Sequence, residues 1–424
     1  YLIKYFAFKI KHKKLIKTIK YNDIYYINMS DSKVADTNTY ISSRSEDNGV
    51  LKFTLSGINV SIANGLRRTV LSDIPILAFK TFPHSENQAD FIKNTTRFNN
   101  EILKQRLGCI PINITDHSLP YNELLVEIHK RNDTNEMMFV TTKDFKVKNI
   151  NSDKYLDEST VRKIFPANPI TGDFILFARL RPKISNDLPG EEIKINAKMS
   201  LHTASEDGMY NCVSCCSYAN TTDTVKQKDM WQEKLESLVK EHGEMLEKLE
   251  PDEVDNAEEG FQEKLKIDEA DFYNHDAKRI FIQNSFDFQI ESIGVFENND
   301  ICIKACDTLL SKLENIKKIS EDGTIEVKIA ETTLKNAYDI ILQNEGYTIG
   351  KVIEYILNKQ HYSGSKEYTF VGFRKDHPFD NYSRIRIAYN SKTPNVSDVR
   401  VRQDIVDACD VAIQIYGNIR NEFT

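Results

Sequence analysis

The chain has 424 residues, 40% of them hydrophobic and 28% charged, and a net charge of −7. That length exceeds one small domain, and the acidic excess excludes a protein that coats nucleic acid by its own charge. No run of about 18 apolar residues offers a membrane span, and seven scattered cysteines make no disulfide framework, which points to a reducing compartment.

Residues 1–28 hold seven Lys against one acidic residue, Asp23, and Lys breaks up their apolar positions, so no signal-peptide core is present. The chain begins with Tyr, while Met29 opens the polar run MSDSKVADTNTYISSRSEDN. The expected start is therefore Met29, with residues 1–28 upstream or non-native and 30–48 a disordered tail. VLKFTLSG (50–57) alternates as a strand. Ile62, Leu66 and Val70 then fall at helical spacing, with Asn59 or Ser61 as cap. IPILAFKTF (74–82) is extended.

A large insertion is expected over 113–280. Within it, residues 229–276 carry seventeen Asp and Glu against five Lys, a net of −12. WQEKLESLVKEHGEMLEKLE puts Trp231, Leu235, Leu238, Met245, Leu246 and Leu249 on one stripe and predicts a long amphipathic helix. Pro251 ends it, and PDEVDNAEEG reads as an acidic loop. Such insertions are most often solvated surface and less often docking helices.

The opening order then returns. FDFQIESIG (286–294) is a strand, followed by a helix carrying Ile301, Ala305, Leu309, Leu313 and Ile316. TLKNAYDIILQNEG supplies a strand and turn, Thr348 is the expected cap of IGKVIEYILNKQ, and EYTFVGF (367–373) is extended. SRIRIAYN (383–390) leads into a last helix in which Val401, Ile405, Ala408, Ala412, Ile415 and Ile419 step by four and three, the spacing of a helix seam. One α+β unit is used twice, strand–helix–extended segment and later strand–long helix, and two such copies can pack as a pseudo-two-fold pair inside one polypeptide. The predicted domains are a tail (1–48), a first dimerisation-type domain (49–112 with 281–316), the insert (113–280) and a second such domain (317–424). The predicted pairing core is Ile62, Leu66, Ile349, Ile353, Ile405, Ala408, Ala412 and Ile415.

Candidate chemistry is sparse. CVSCC (212–216) offers thiols, but no second Cys or His cluster completes a zinc set. Cys109 or Cys215 with His84, His117 or His202 could in principle form a nucleophile–base pair, yet no motif brings them together. There is no Gly-rich phosphate loop. The Arg67–Arg68 pair stands out: two guanidinium groups on a helix whose other face is core, suited to bidentate recognition of carboxylates.

FTLSGINVSIANGLRRTVLSDIPILAF, followed by NTTRFNNEILKQRLGCIPI, resembles the alpha-type assembly subunit of cellular RNA polymerases. The family's Asn-x-Leu-Arg-Arg helix falls on Asn64, Leu66, Arg67 and Arg68, its Asn-Thr-Ser segment on Asn94, Thr95 and Thr96, and its acidic residue on Glu101. Its Arg-Leu-Gly-x-x-Pro turn falls on Arg106, Leu107, Gly108 and Pro111. Phe288 to Gly294 resembles the closing strand, and GDFILFARLRPKISNDLPGEEI looks like the family's insert domain. The remainder is similar to the smaller partner subunit, through Thr348, Gly350, Gly372, Phe373, His377 and Pro378, although Lys351 and Glu354 replace the usual Asn and Arg. The zinc-binding cysteines of some relatives are absent, since residues 112–200 hold no Cys. A fused chain resembles the arrangement in large cytoplasmic DNA viruses.

The resemblance implies a non-catalytic assembly platform with Arg67, Arg68, Glu101, Arg106 and His377 at subunit interfaces. It implies the two largest polymerase subunits and a small polymerase subunit as partners, and catalytic magnesium on the largest partner rather than here. It implies neither sequence-specific nucleic-acid contact nor a membrane. The implied location is the virion and host cytoplasm, or the nucleus for a cellular source. The competing expectation is a stand-alone thiol- or metal-dependent enzyme.

Overall fold

The computed structural model describes residues 39–424 apart from 117, 184, 186–188, 247–253 and 392–395; the expectations for residues 1–38, Met29 among them, lie outside the described residues. The described chain opens with β1 (Ile41–Asp47) and β2 (Val50–Ser56), joined by Asn48 and Gly49 at φ +51° and +79°. Two positive φ values in a two-residue loop match the right-handed twist of the flanking strands, and Asn-Gly tolerates them. Part of the expected tail, residues 41–47, is thus an edge strand. Its polar ISSRSED reads as disorder because an edge strand with little burial needs no apolar alternation.

Helix α1 (Val60–Ser72) starts at Asn59, whose side chain accepts from the Ser61 amide at 2.9 Å. Next come β3 (Ile76–Ala78), β4 (Ala89–Asn94), α2 (Asn100–Gly108), β5 (Leu124–Arg131), β6 (Met138–Thr141), β7 (Phe145–Asn149) and β8 (Lys154–Tyr155). They are followed by α3 (Glu158–Ile164), β9 (Leu176–Leu180), β10 (Glu192–Lys198), β11 (Ser200–His202) and β12 (Val213–Thr222). Two long helices, α4 (Thr224–Leu246) and α5 (Val254–Asp271), precede β13 (Phe281–Ser292) and α6 (Asn298–Glu321). The chain ends through β14 (Glu326–Ile329), β15 (Ala337–Gln343), α7 (Tyr347–Leu357), β16 (Tyr368–Arg374), β17 (Tyr382–Tyr389) and α8 (Asp398–Phe423).

Two four-stranded antiparallel sheets organise this path, in the orders β1-β2-β13-β12 and β14-β15-β17-β16. They share one connectivity: an edge strand, its neighbour, a helix, the far edge, the remaining inner strand, a long helix. The first far edge is β12, which begins with Val213 inside CVSCC. The expected counterpart, IPILAFKTF, instead contributes β3, which pairs with β11 outside this sheet. The expected insertion limit of 280 is therefore corrected, since residues 213–222 belong to the first sheet.

One hydrophobic core joins the inner faces of both sheets to α1, α6, α7 and α8. The long helices α6 and α8 lie along each other, and α1 packs on α7 and α6. Ile301, Ala305, Leu309 and Leu313 face Val401, Ile405, Ala408, Ala412 and Ile419 in this core, all with no exposed surface. Fully burying one such Ile or Leu contributes about 1.5–3 kcal/mol. The expected seam residue Ile415 is only half-buried, and Tyr416 takes its place. After Ala412 the stripe steps by four, which a 3.6-residue period requires periodically. The Tyr416 hydroxyl donates to the Ile62 carbonyl of α1 at 3.1 Å. Gly65 leaves room for it, because a Cβ there would lie 2.5 Å from that oxygen.

The carboxylate of Asp404 is buried beside this core. Asp404 of α8 accepts from the Tyr368 and Tyr389 hydroxyls at 2.5 and 2.6 Å and pairs with Arg400 at 3.0 Å, so its charge is hydrogen-bonded rather than stranded. Between the sheets, α6 ends at Asp322 and Gly323 with φ +72°, and the amide of the buried Ile325 returns to the Ile319 carbonyl at 2.9 Å. This is a left-handed helix cap that glycine suits.

A second core gathers β4, β5, β7, β10, α2 and α3, with a five-stranded sheet in the order β4-β10-β5-β7-β8 and the pair β6-β9. In the acidic region, α4 buries Trp231, Leu235 and Val239, while Leu238 is half-buried and Met245 exposed. The side chains of Leu246 and Leu249, and Pro251, lie outside the described residues. The expected acidic loop is corrected: from Val254 it is helix α5, in line with the helix propensity of its Glu, Gln, Lys, Ala and Leu residues. The two helices meet at His242 on Phe261, and Trp231 of α4 packs on Phe272 just past the end of α5.

Candidate subunit interface

Helix α1 buries Ile62, Ala63, Gly65, Leu66, Thr69 and Val70, which turns Asn64, Arg67 and Arg68 away from the core centre. Arg67 is half-buried and Arg68 exposed. Arg67 Nε donates to Asn64 Oδ1 at 3.0 Å, an i,i+3 pair that orients the guanidinium without neutralising it. Arg68 Nε donates to the Thr348 hydroxyl of α7 at 3.0 Å. No carboxylate pairs with either among the described residues, so neither charge is neutralised within the described chain.

Thr348 was expected to cap α7. The helix instead begins two residues earlier, at Tyr347 after the cap Gly346, and Thr348 lies inside the first turn. Its hydroxyl serves α1 rather than its own helix. On α7 the corresponding polar pair is Lys351–Glu354, 2.6 Å apart at i,i+3, and the Glu354 carboxylate also accepts from the Phe373 amide at 3.2 Å. The two residues that depart from the family pattern thus satisfy each other.

Among the described residues, the other expected interface residues make their hydrogen bonds elsewhere than this patch. Glu101 is exposed in the first turn of α2, where a carboxylate favours the helix N-terminus. Arg106 faces its own fold: its guanidinium donates to the Phe177 and Leu176 carbonyls of β9 at 2.7 and 2.5 Å. That use ties α2 to β9 inside the second core. His377 is exposed in a turn, its amide donating to Asp380 and its Nδ1 accepting from the Phe379 amide. Of the pairing residues, Ile62, Leu66, Ile349, Ile353, Ile405, Ala408 and Ala412 all lie in the shared core, and Ile415 packs at its margin.

Cys212 is buried just before β12, and within the strand Cys216 is buried and Cys215 half-buried, past a register shift between Val213 and Cys215. Burial pushes Cys212 up to about 11 and Cys216 up to about 12, the latter against the pull of Arg67. Both therefore stay protonated near neutral pH, a poor state for a metal ligand or nucleophile. His84 meets Lys104, and His202 meets Ser200 and Glu206; neither bonds to a cysteine, and His117 lies outside the described residues. Among the described residues no group of three or more His, Cys, Asp or Glu could hold a metal ion, and no helix is long and apolar enough to cross a membrane.

The RNA polymerase Rpb3/Rpb11 dimerisation domain matches residues 52–313, running from β2 through most of α6. The DNA-directed RNA polymerase subunit Rpo3 of Methanosphaera stadtmanae is 26% identical over 297 residues, which cover 64% of this chain and 95% of that protein. The yeast (Saccharomyces cerevisiae) DNA-directed RNA polymerases I and III subunit RPAC1 is 23% identical over 299 residues, 62% of this chain and 82% of its own. A shorter stretch of 73 residues is 37% identical to Rpo3 of Pyrobaculum arsenaticum, covering 17% of this chain and 26% of that one. The domain match spans more than half of this chain, and the chain belongs to the Rpb3/Rpb11 dimerisation family.

Proposed function

We propose that this member of the Rpb3/Rpb11 dimerisation family is the assembly platform of a multisubunit DNA-directed RNA polymerase, with both members of the dimerisation pair in one polypeptide. The observation that carries the reading is a length mismatch met by a fold. The archaeal relative is covered almost entirely by 64% of this chain, and the family match stops at 313. Beyond that point the chain builds a second sheet of the same connectivity, whose helices α7 and α8 complete the core of α1 and α6.

In this reading the first dimerisation unit comprises residues from β1 through α1, then β12, β13 and α6, and the second runs from 317 to the end. The second core between β4 and β10 is the insert. The pair is pseudo-two-fold. The uncompensated Arg67 and Arg68 dock a carboxylate-bearing surface of the two largest catalytic subunits, and a small polymerase subunit completes the platform. A fused pair suits a viral enzyme working in the host cytoplasm and packaged in the virion.

The test replaces both arginines. Losing one side of a desolvated charged pair typically costs about 2–5 kcal/mol of association. Arg67→Ala/Arg68→Ala should fold, since Ile62, Leu66 and Val70 are untouched, yet fail to reconstitute with the large subunits. Thr348→Val, which removes only the internal hydroxyl contact of Arg68, should assemble. Normal assembly of the double variant would reject the docking role, and its unfolding would make the pair structural.

A further inference from the structure

A groove of about 540 Å³ lies on the second core, away from α1, lined by Arg97, Phe98, Arg106, Met137, β9 and Arg181. Four arginines line it, because Arg179 of β9 joins the other three. Their internal commitments differ. Arg181 is neutralised by the buried Glu191 at 2.5 Å. Arg106 spends its hydrogen bonds on two carbonyls, which carry no charge to balance it. Arg179 lies over the Phe139 ring at 5.5 Å, and Arg97 is exposed and makes no ion pair among the described residues. Among the described residues that line the groove none is acidic. Beside the charges sit apolar side chains left in water: Phe98, Met137 and Phe139 are 36%, 52% and 50% exposed.

We propose that this groove docks an extended acidic and aliphatic segment of a partner protein, with its carboxylates on Arg97 and Arg179 and its apolar side chains on Phe98 and Met137. Guanidinium groups bind carboxylates in a bidentate fork, and three uncompensated ones in one groove are complementary to closely spaced carboxylates. The apolar rim adds the burial that a purely ionic surface lacks. A nucleic acid fits less well: the whole chain carries −7, which repels a long polyanion, and phosphate contacts alone do not use Met137. The proposal stands apart from the polymerase reading, since it rests on the charge and shape of this groove.

Fluorescence anisotropy tests it on the full chain, with a labelled peptide alternating Asp or Glu with Leu and Phe. The peptide should bind, and its Asn/Gln analogue should not. Arg97→Glu/Arg179→Glu should weaken binding by about tenfold or more, and Met137→Ala by a few-fold. All three side chains are exposed, so the variants should keep the parent's circular dichroism and melting. Failure of the acidic peptide to bind, or equal binding by the charge-reversed variant, overturns the proposal. So does displacement of the peptide by oligothymidylate of equal charge, which would make the groove a general polyanion surface.

Discussion

Helices α1 and α7 sit in equivalent places, each between the second strand of a four-stranded sheet and that sheet's far edge, and they pack on each other. Both bury an aliphatic face and both set a polar pair at i,i+3 on the opposite side. They differ in what that pair does with its charge. On α1, neutral Asn64 steers Arg67 and leaves its cation whole, with Arg68 beside it. On α7, Lys351 and Glu354 cancel, and Glu354 turns inward to the Phe373 amide. Equivalent positions in a fold can thus keep the packing role in common while only one leaves its charge uncompensated.

The packing half of this comparison carries the largest effects. Ile405→Ala removes a fully buried side chain where α8 meets α6 and should lower stability by about 2–5 kcal/mol. Because one core serves both sheets, denaturant melting followed at both should shift together in a single transition. Two separate transitions would show that the sheets have independent cores.

The two helical glycines test the crossing more finely. A Cβ at Gly65 would meet the Tyr416 hydroxyl at 2.5 Å, and one at Gly350 would overlap the Phe373 ring more deeply. Overpacking costs about 1–3 kcal/mol at either position. Gly65→Ala should be the worse, although its clash is the milder, because it also drives the Tyr416 hydroxyl from its buried carbonyl acceptor. Phe373 keeps 9% of its surface exposed where Tyr416 keeps none, so its ring is the freer of the two to shift. The reverse order in thermal melting would place the tighter crossing at α7.

The smallest effects separate the polar pairs. Arg67→Ala should change stability by less than about 1 kcal/mol, as partly exposed charges without a carboxylate partner contribute little. Glu354→Ala should cost somewhat more, about 1–2 kcal/mol, since the Phe373 amide loses its acceptor and Lys351 its partner. Equal effects would erase the contrast between an outward and an inward pair.

Legibility in the sequence followed physical cause. The seams of α6 and α8 were readable because a helix buried on one side repeats its apolar residues, and the order of strand and helix marked the repeated unit. Tyr416 was missed in favour of Ile415, because hydrophobicity alone does not mark a tyrosine whose hydroxyl has a buried carbonyl waiting. β1 was lost because polar edge strands lack alternation, although its Asn48-Gly49 turn was visible. β12 was hidden by its cysteines, which invited a chemical reading, and by a register shift between Val213 and Cys215 that breaks the alternation a strand would show. At the candidate interface the sequence located the α1 arginines but gave no sign that Arg106 serves β9. Its separation of 70 residues from that strand is invisible to any local pattern.

The elbow at Gly323 has a kinetic consequence. Only a short, hydrogen-bonded connection separates α6 from β14, so the second sheet is never far from the first. Where two separate chains must find each other, this tether fixes a local concentration on the order of millimolar or more. Docking of the second sheet on the first is a unimolecular step, and dilution cannot undo it. Melting should accordingly show none of the protein-concentration dependence that marks an associating pair.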